Sequence, residues 1–270
     1  MLGRAVMTHA LDEAGDPRYP FIKVADTLRA ADIVFVNLEN PIVEGCPPHY
    51  SGFKFCTSPE LVEGLVYAGI DVVTLANNHS RNYGQDGLNQ TVDYLNKAGI
   101  SVTGLNDLTI KQFSNLTIGF LGFDFLTNTP TQKDYDLVQT SSSQVDVLIV
   151  GVHWGSEYQS TADSLQTIVA HKLVENGADV VVGHHPHWVQ NHEYIDGKAV
   201  YYSLGNFIFD QMWSEETKKG MAIRLTFEGK NIVKEEFLPI YMSSWSQPEF
   251  IAGSENVGSG TSSNAKSFAQ

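Results

Sequence analysis

Short runs of Val, Ile and Leu recur along the chain, separated by longer stretches whose apolar positions fall at helical spacing. The runs Asp32–Leu38 (DIVFVNL), Asp71–Ala76 (DVVTLA), Leu116–Phe123 (LTIGFLGF), Asp146–Val152 (DVLIVGV), Asp179–Gly183 (DVVVG) and Ala199–Leu204 (AVYYSL) read as strands. Their near-continuous hydrophobicity predicts burial on both faces, as in a sheet covered on each side. Helices are predicted over Phe21–Ala31, Pro59–Ala68, Gly87–Ala98 and Ser164–Asn176. Gly69, Gly99 and Gly177 follow three of them, where a left-handed C-terminal cap favours glycine. The unit helix, glycine, short link, strand recurs as YAGIDVVTLA, NKAGISVTGL and ENGADVVVG, the punctuation of a layered α/β fold. From Gly220 the pattern changes: Met221–Phe227 and Ile232–Ile240, joined through Glu228-Gly229-Lys230-Asn231, predict a β-hairpin. No internal linker divides the chain, so residues 1–252 form one domain, and the small polar residues 253–270 form a flexible tail.

The polar residues are placed where such a fold does chemistry. Strand after strand ends in metal-type ligands: Asn37-Leu38-Glu39-Asn40, Asn77-Asn78-His79, His153 through Glu157, His184-His185-Pro186-His187, and Asn206 after AVYYSLG. In an open parallel sheet, ligands bind beyond the carboxyl ends of the strands, so these clusters converge on one crevice. Imidazole, carboxylate and Asn carbonyl together suit Zn, Mn or Fe rather than Ca or Mg alone. Of nine histidines, five (His79, His153, His184, His185 and His187) fall at these ends. Taken singly, each cluster has an ordinary reading. Asn77-Asn78-His79 can be a turn, Glu39 a helix cap and Asn206 part of a turn, and a lone His153 can be structural. The triplet His184-His185-x-His187 resists that treatment, because residues two apart on extended backbone face the same way and can share a metal. Jointly the metal reading prevails.

Composition narrows the function classes. The 42% hydrophobic and 18% charged content is that of a globular domain. A formal charge of −14, with Lys and Arg scattered singly, argues against nucleic acid as a partner. No apolar run approaches the roughly 18 to 20 residues of a membrane-spanning helix, so no transmembrane segment is expected in this chain. Cys46 and Cys56 lie in a loop-like stretch where a disulfide and two free thiols are both open.

The ordered series FVNLENPIV, TLANNHSRNYGQDGL, GVHWGSEY, VVGHHPHWVQ and YSLGNFIFDQ resembles that of the CapA (PgsA-like) proteins of poly-γ-glutamate capsule synthesis, relatives of the calcineurin-like metallophosphoesterases. The resemblance runs from the first residue to about Gln211. It implies a layered metallophosphoesterase-like sheet sandwich flanked by helices, with two divalent transition metals (Mn, Fe or Zn) at the strand ends of the complete protein. Glu39, Asn78, His153, His185 and His187 would be ligands, and His184 an alternative one. His79 would act as general acid or transition-state stabiliser, and Glu157 would orient substrate or a histidine ring. Asn37, Arg81 and Asn206 would contact substrate, with Arg4 a further candidate for gripping an anionic polymer. Similar proteins open with a strand ending in Gly-Asp, whereas this chain starts at Met1 without it; the fold is therefore expected to lack that first strand and its Asp ligand. The family places the full-length protein at the membrane or outside the cytoplasm, working on poly-γ-glutamate or a phosphoester beside other capsule-synthesis subunits. A metallohydrolase and a non-catalytic polymer-binding or export subunit are the two functions to separate.

Overall fold

A computed structural model describes residues 1–251; the expected tail, 253–270, lies outside the described residues. Near the N-terminus a short helix α1 (Ala5–Thr8) runs into a π-helical turn (His9–Glu13), and α2 spans Ala25–Arg29. Strand β1 (Phe35–Asn37), helix α3 (Val62–Tyr67), strand β2 (Val72–Thr74), helix α4 (Gly84–Lys97) and strand β3 (Ser101–Thr103) follow. The three strands form an all-parallel sheet in the order β1-β2-β3. The second sheet takes β4 (Thr109–Phe113), β5 (Leu116–Asp124), β6 (Val147–His153), β7 (Val180–His184), β8 (His192–Ile195) and β9 (Lys198–Tyr201), with α5 (Gln132–Ser142) and α6 (Ser164–Glu175) between them. Its order is β4-β5-β6-β7-β9-β8, parallel from β5 to β9 with an antiparallel strand at each edge. A third, antiparallel sheet holds β10 (Lys219–Glu228), β11 (Asn231–Ser244) and β12 (Gln247–Phe250).

Alternation along the strands builds the layers. In β6, Val147 and Ile149 join Phe35, Val72, Ile118 and Phe120 in the core between the two parallel-type sheets. Leu148, Val150 and Val152 face the other way, onto Tyr135 and Val138 of α5 and Val169, Ala170 and Leu173 of α6. The first sheet does the same: Val36 and Val73 turn outward to Leu65 of α3 and Leu88 and Leu95 of α4. The hairpin β10–β11 covers the far end of the second sheet, with Ile223, Leu225 and Phe237 packed on Val180, Ala199 and Tyr201. The apolar pattern predicted a layered α/β fold, and the arrangement is the sheet sandwich flanked by helices that the resemblance implied. The sheets approach closely at Gly122, where an added Cβ would lie 2.3 Å from Thr74 Oγ1 and 2.9 Å from Gly104 Cα.

The three glycines after helices do what was expected of them. Gly69, Gly99 and Gly177 have φ of 73°, 79° and 107°. Each closes the same pair of bonds, as in Ile70 N–H to Leu65 C=O with Gly69 N–H to Val66 C=O. This double bond satisfies the last helical carbonyls and turns the chain into the next strand. An aspartate at the strand entry then fixes register: Asp71, Asp146 and Asp179 accept from the backbone N–H of Val34, Thr117 and Leu148 on the neighbouring strands. Two predicted helices are shorter than their apolar pattern. Phe21–Ala31 breaks into a 3-10 turn at Tyr19–Phe21 and α2, and Pro59–Ala68 opens with a 3-10 turn at Pro59–Leu61. Cys46 and Cys56 are joined in a disulfide, with their Cα atoms 5.9 Å apart.

Candidate metal centre

The carboxyl ends of β1, β2, β6 and β7 meet at one place. β1 delivers Asn37 and, two residues on, Glu39, which is buried. After β2 the chain turns through Asn77, whose amide donates to Asn37 Oδ1 (3.0 Å) and to the Leu38 carbonyl (3.0 Å). Its own Oδ1 accepts from the His79 backbone N–H (3.1 Å). Asn77 thus ties the two strand ends together and fixes Asn78 and His79. His153 ends β6 and is paired in register with His184, the last residue of β7. Beyond β7 the backbone turns sharply: His185 and His187 have φ of 101° and 59°, a conformation uncommon for residues with a side chain. Such backbone requires support from its surroundings and is concentrated at functional sites.

Side-chain geometry divides the residues into two overlapping groups. Ligand-type atoms of Glu39, His153 and His185 all lie within 4.8 Å of one another, and so do those of Glu157, His185 and His187. His185 belongs to both. His153 Nε2 is 3.0 Å from Asn78 Oδ1 and 3.7 Å from Glu39 Oε1, so Asn78 completes the first group. His187 Nδ1 meets Asn206 Oδ1 at 2.9 Å, and the Asn206 amide donates to the Thr217 carbonyl and to Gln211 Oε1. That contact fixes the ring's orientation in the manner of a carbonyl behind a metal-bound imidazole. His187 lies between the rings of Tyr158 and Phe209, at 6.1 and 5.3 Å.

The electrostatics suit a cation. Burial is the leading cause of every shift here: it raises the Glu39 carboxyl and lowers His79, His153, His185 and His187, with His184 brought down to about 4. The imidazoles are therefore neutral near pH 7, with lone pairs free to bind metal. Glu39 Oε1, His153 Nδ1, His184 Nε2 and His185 Nδ1 are buried with no hydrogen-bond partner. Orphaned buried polar atoms are costly and call for an explanation, and a bound metal ion supplies one. The residues present fit the group.

The other expected residues are placed as follows. His79 sits beside the centre: Asn78 Nδ2 is 3.3 Å from its Nε2, its Nδ1 is 3.1 Å from Asn82 Oδ1, and the Phe55 ring lies against it at 4.1 Å. Asn37 Nδ2 donates to Glu39 Oε2 at 3.4 Å, behind the ligand groups. His184 is half-buried and belongs to neither ligand group. Arg81 lies outside the centre, on a cavity of about 590 Å3 that Asn77 and Asn78 also line. Arg4 is held by buried Asp210 beneath the Phe55 and Phe209 rings. Sequence reasoning missed Asn82, Phe55 and Asp210. Asn82, three residues after His79 in one turn, could have been found by spacing; Phe55 and Asp210 reach the site only through tertiary packing.

The family described as bacterial capsule synthesis protein PGA_cap matches residues 1–211. The chain belongs to that family. The PGA biosynthesis protein CapA of Bacillus subtilis is 28% identical over 89% of this chain and 69% of its own length. The capsule biosynthesis protein CapA of Bacillus anthracis is 29% identical over 73% of this chain, and a polyglutamine synthesis accessory protein of Mycobacterium tuberculosis is 27% identical over 72%. The chain spans 55% and 60% of the lengths of those two relatives. Among solved structures, a hypothetical protein from Thermus thermophilus matches 83% of this chain and 93% of its own, at a TM-score of 0.58 and 17% identity. A phosphatase from Mycoplasma pneumoniae covers 89% of each chain at 0.51 and 15%. At such identity these two neighbours speak for the fold alone, a layered α/β sheet sandwich.

Proposed function

We propose that this PGA_cap family member is a metal-dependent hydrolase of poly-γ-glutamate capsule synthesis, acting on a phosphoester or a γ-linked polymer through two divalent ions. The observation that carries the reading is the pair of ligand groups sharing His185, set among buried atoms that have no other partner. Glu39, Asn78 and His153 would hold one ion and His187 and Glu157 the other, with His185 within reach of either and Mn, Fe or Zn suiting the donor set. Metal bound there would polarise the scissile group and lower the pKa of an attacking water.

The chain's own residues supply the rest. Asn206 orients His187, and Asn77 orients Asn78 and the His79 backbone. With Nδ1–H donated to Asn82 Oδ1, His79 Nε2 accepts from the Asn78 amide beside the centre, and burial holds the ring neutral. It can take up a proton there and return it to a leaving group. Arg81, on the adjoining cavity, would meet an anionic part of the substrate. A polymer-binding subunit could grip an anionic chain through a single ion, whereas two ligand groups around His185 suit a two-ion hydrolase, which favours the hydrolase over that alternative. The disulfide suits an extracytoplasmic or membrane-associated setting. No helix among the described residues is long and apolar enough to cross a membrane.

Assay of the metal-loaded protein against an aryl phosphodiester and a γ-glutamyl oligomer tests this. His185→Ala should lower turnover at least about a hundredfold, because it removes a ligand common to both groups. Wild-type protein that binds metal yet turns over neither substrate would return the polymer-binding subunit to first place.

A further inference from the structure

A third cluster of metal-type ligands lies outside the centre, in the loop that the disulfide closes. Ligand atoms of Cys46, His49 and Cys56 all lie within 4.8 Å of one another. His49 Nδ1 is 2.8 Å from the Pro47 carbonyl, which accepts its proton and fixes the tautomer. The other nitrogen, Nε2, is shut off from solvent and has no hydrogen-bond partner. An imidazole anchored by one N–H to a backbone carbonyl, with the second nitrogen unpartnered beside two sulfurs, has the arrangement of a metal-binding histidine. We propose that Cys46, His49 and Cys56 are a redox-gated site for a thiophilic divalent ion such as zinc, vacant while the disulfide stands and filled once it is reduced.

The chemistry balances with a small dithiol as reductant. Thiol–disulfide exchange breaks the Cys46–Cys56 bond, two electrons and two protons pass to the sulfurs, and the dithiol leaves as its own disulfide. Zinc then displaces both thiol protons and takes His49 Nε2 as its third ligand, with solvent completing four-coordination. Reduction does not scatter the ligands. Below the sulfurs the loop is clasped by Val43 N–H to Thr57 C=O (3.0 Å) and Thr57 N–H to Pro41 C=O (2.9 Å). Within the loop, Gly45 and Gly52 stand at φ of 66° and 97° with open space around them, so the chain between the sulfurs can adjust as their spacing widens to that of two zinc ligands. The loop is thus closed in either redox state, by a covalent bond or by a cation. It carries Phe55, whose backbone N–H donates to Asn82 Oδ1 and whose ring covers His79, so closure also matters to the centre.

Cobalt provides a direct test, since only thiolate ligands give its intense near-ultraviolet charge-transfer band and the strand-end centre has none. The full chain would be stripped with a chelator, reduced with dithiothreitol, desalted without air and titrated with Co2+. The band should grow to one equivalent in reduced protein, be absent from oxidised protein and from the Cys46→Ser/Cys56→Ser variant, and disappear when zinc is added. His49→Ala keeps both sulfurs and should weaken cobalt binding at least about tenfold. Reduced, folded protein without the band, or His49→Ala with unchanged affinity, would overturn the site. Neither result depends on whether the strand-end centre is catalytic.

Discussion

Asn206 contributes no atom to either ligand group, yet it determines how His187 presents itself. Asn206→Ala removes the 2.9 Å contact to Nδ1 and should weaken metal binding about 10- to 100-fold by competition titration. Equal affinity in the wild-type protein and Asn206→Ala would mean the contact only packs. The neutral imidazoles have a second consequence. A histidine held below its ordinary pKa binds fewer protons folded than unfolded, so its contribution is present above about pH 6.5 and is lost as the pH falls through the folded value. For His184 that window reaches down to about 4. The urea midpoint of chelator-treated protein should therefore drop as the pH is lowered from 6.5 to 4, and His184→Asn should flatten part of the slope.

At the scale of elements, helix ends and strand entries govern the site, because every ligand follows a strand whose position they set. Gly99 has φ of 79° and open space where a Cβ would sit, so Gly99→Ala strains the backbone alone and should cost about 1 kcal/mol in urea unfolding. Gly122→Val would drive a side chain into Thr74 and Gly104 between the sheets, and should abolish cooperative folding or lower the midpoint several-fold more. Much of this level was legible in the chain, since buried parallel strands are continuous apolar runs and helix-ending glycines are local signals. Helix α5 was not: its positions from Gln132 to Ser142 are mostly polar, and only Tyr135, Val138 and Ser141 are buried. The break before α2 was equally hidden, because an apolar period does not record that Pro20 and Phe21 fold into a 3-10 turn.

For the whole molecule, the strand-end rule brought most of the site together from the sequence, since a parallel sheet directs the carboxyl ends of its strands to one edge. Glu39, Asn78, His153, His185 and His187 converge as expected from segments far apart in the chain. What could not be read were the supports that arrive through packing, such as Phe55 on His79 or Asp210 holding Arg4. The two overlapping groups depend on the sharply turned backbone at His185 and His187, which no local pattern announces. The central claim is that these groups hold metal. Elemental analysis of the purified protein beside His185→Ala/His187→Ala, each checked for folding by circular dichroism, tests it most directly. The account predicts one to two equivalents of Mn, Fe or Zn in the wild-type protein and their loss in the double variant; folded wild-type protein that carries no metal and takes none up when it is supplied would contradict it.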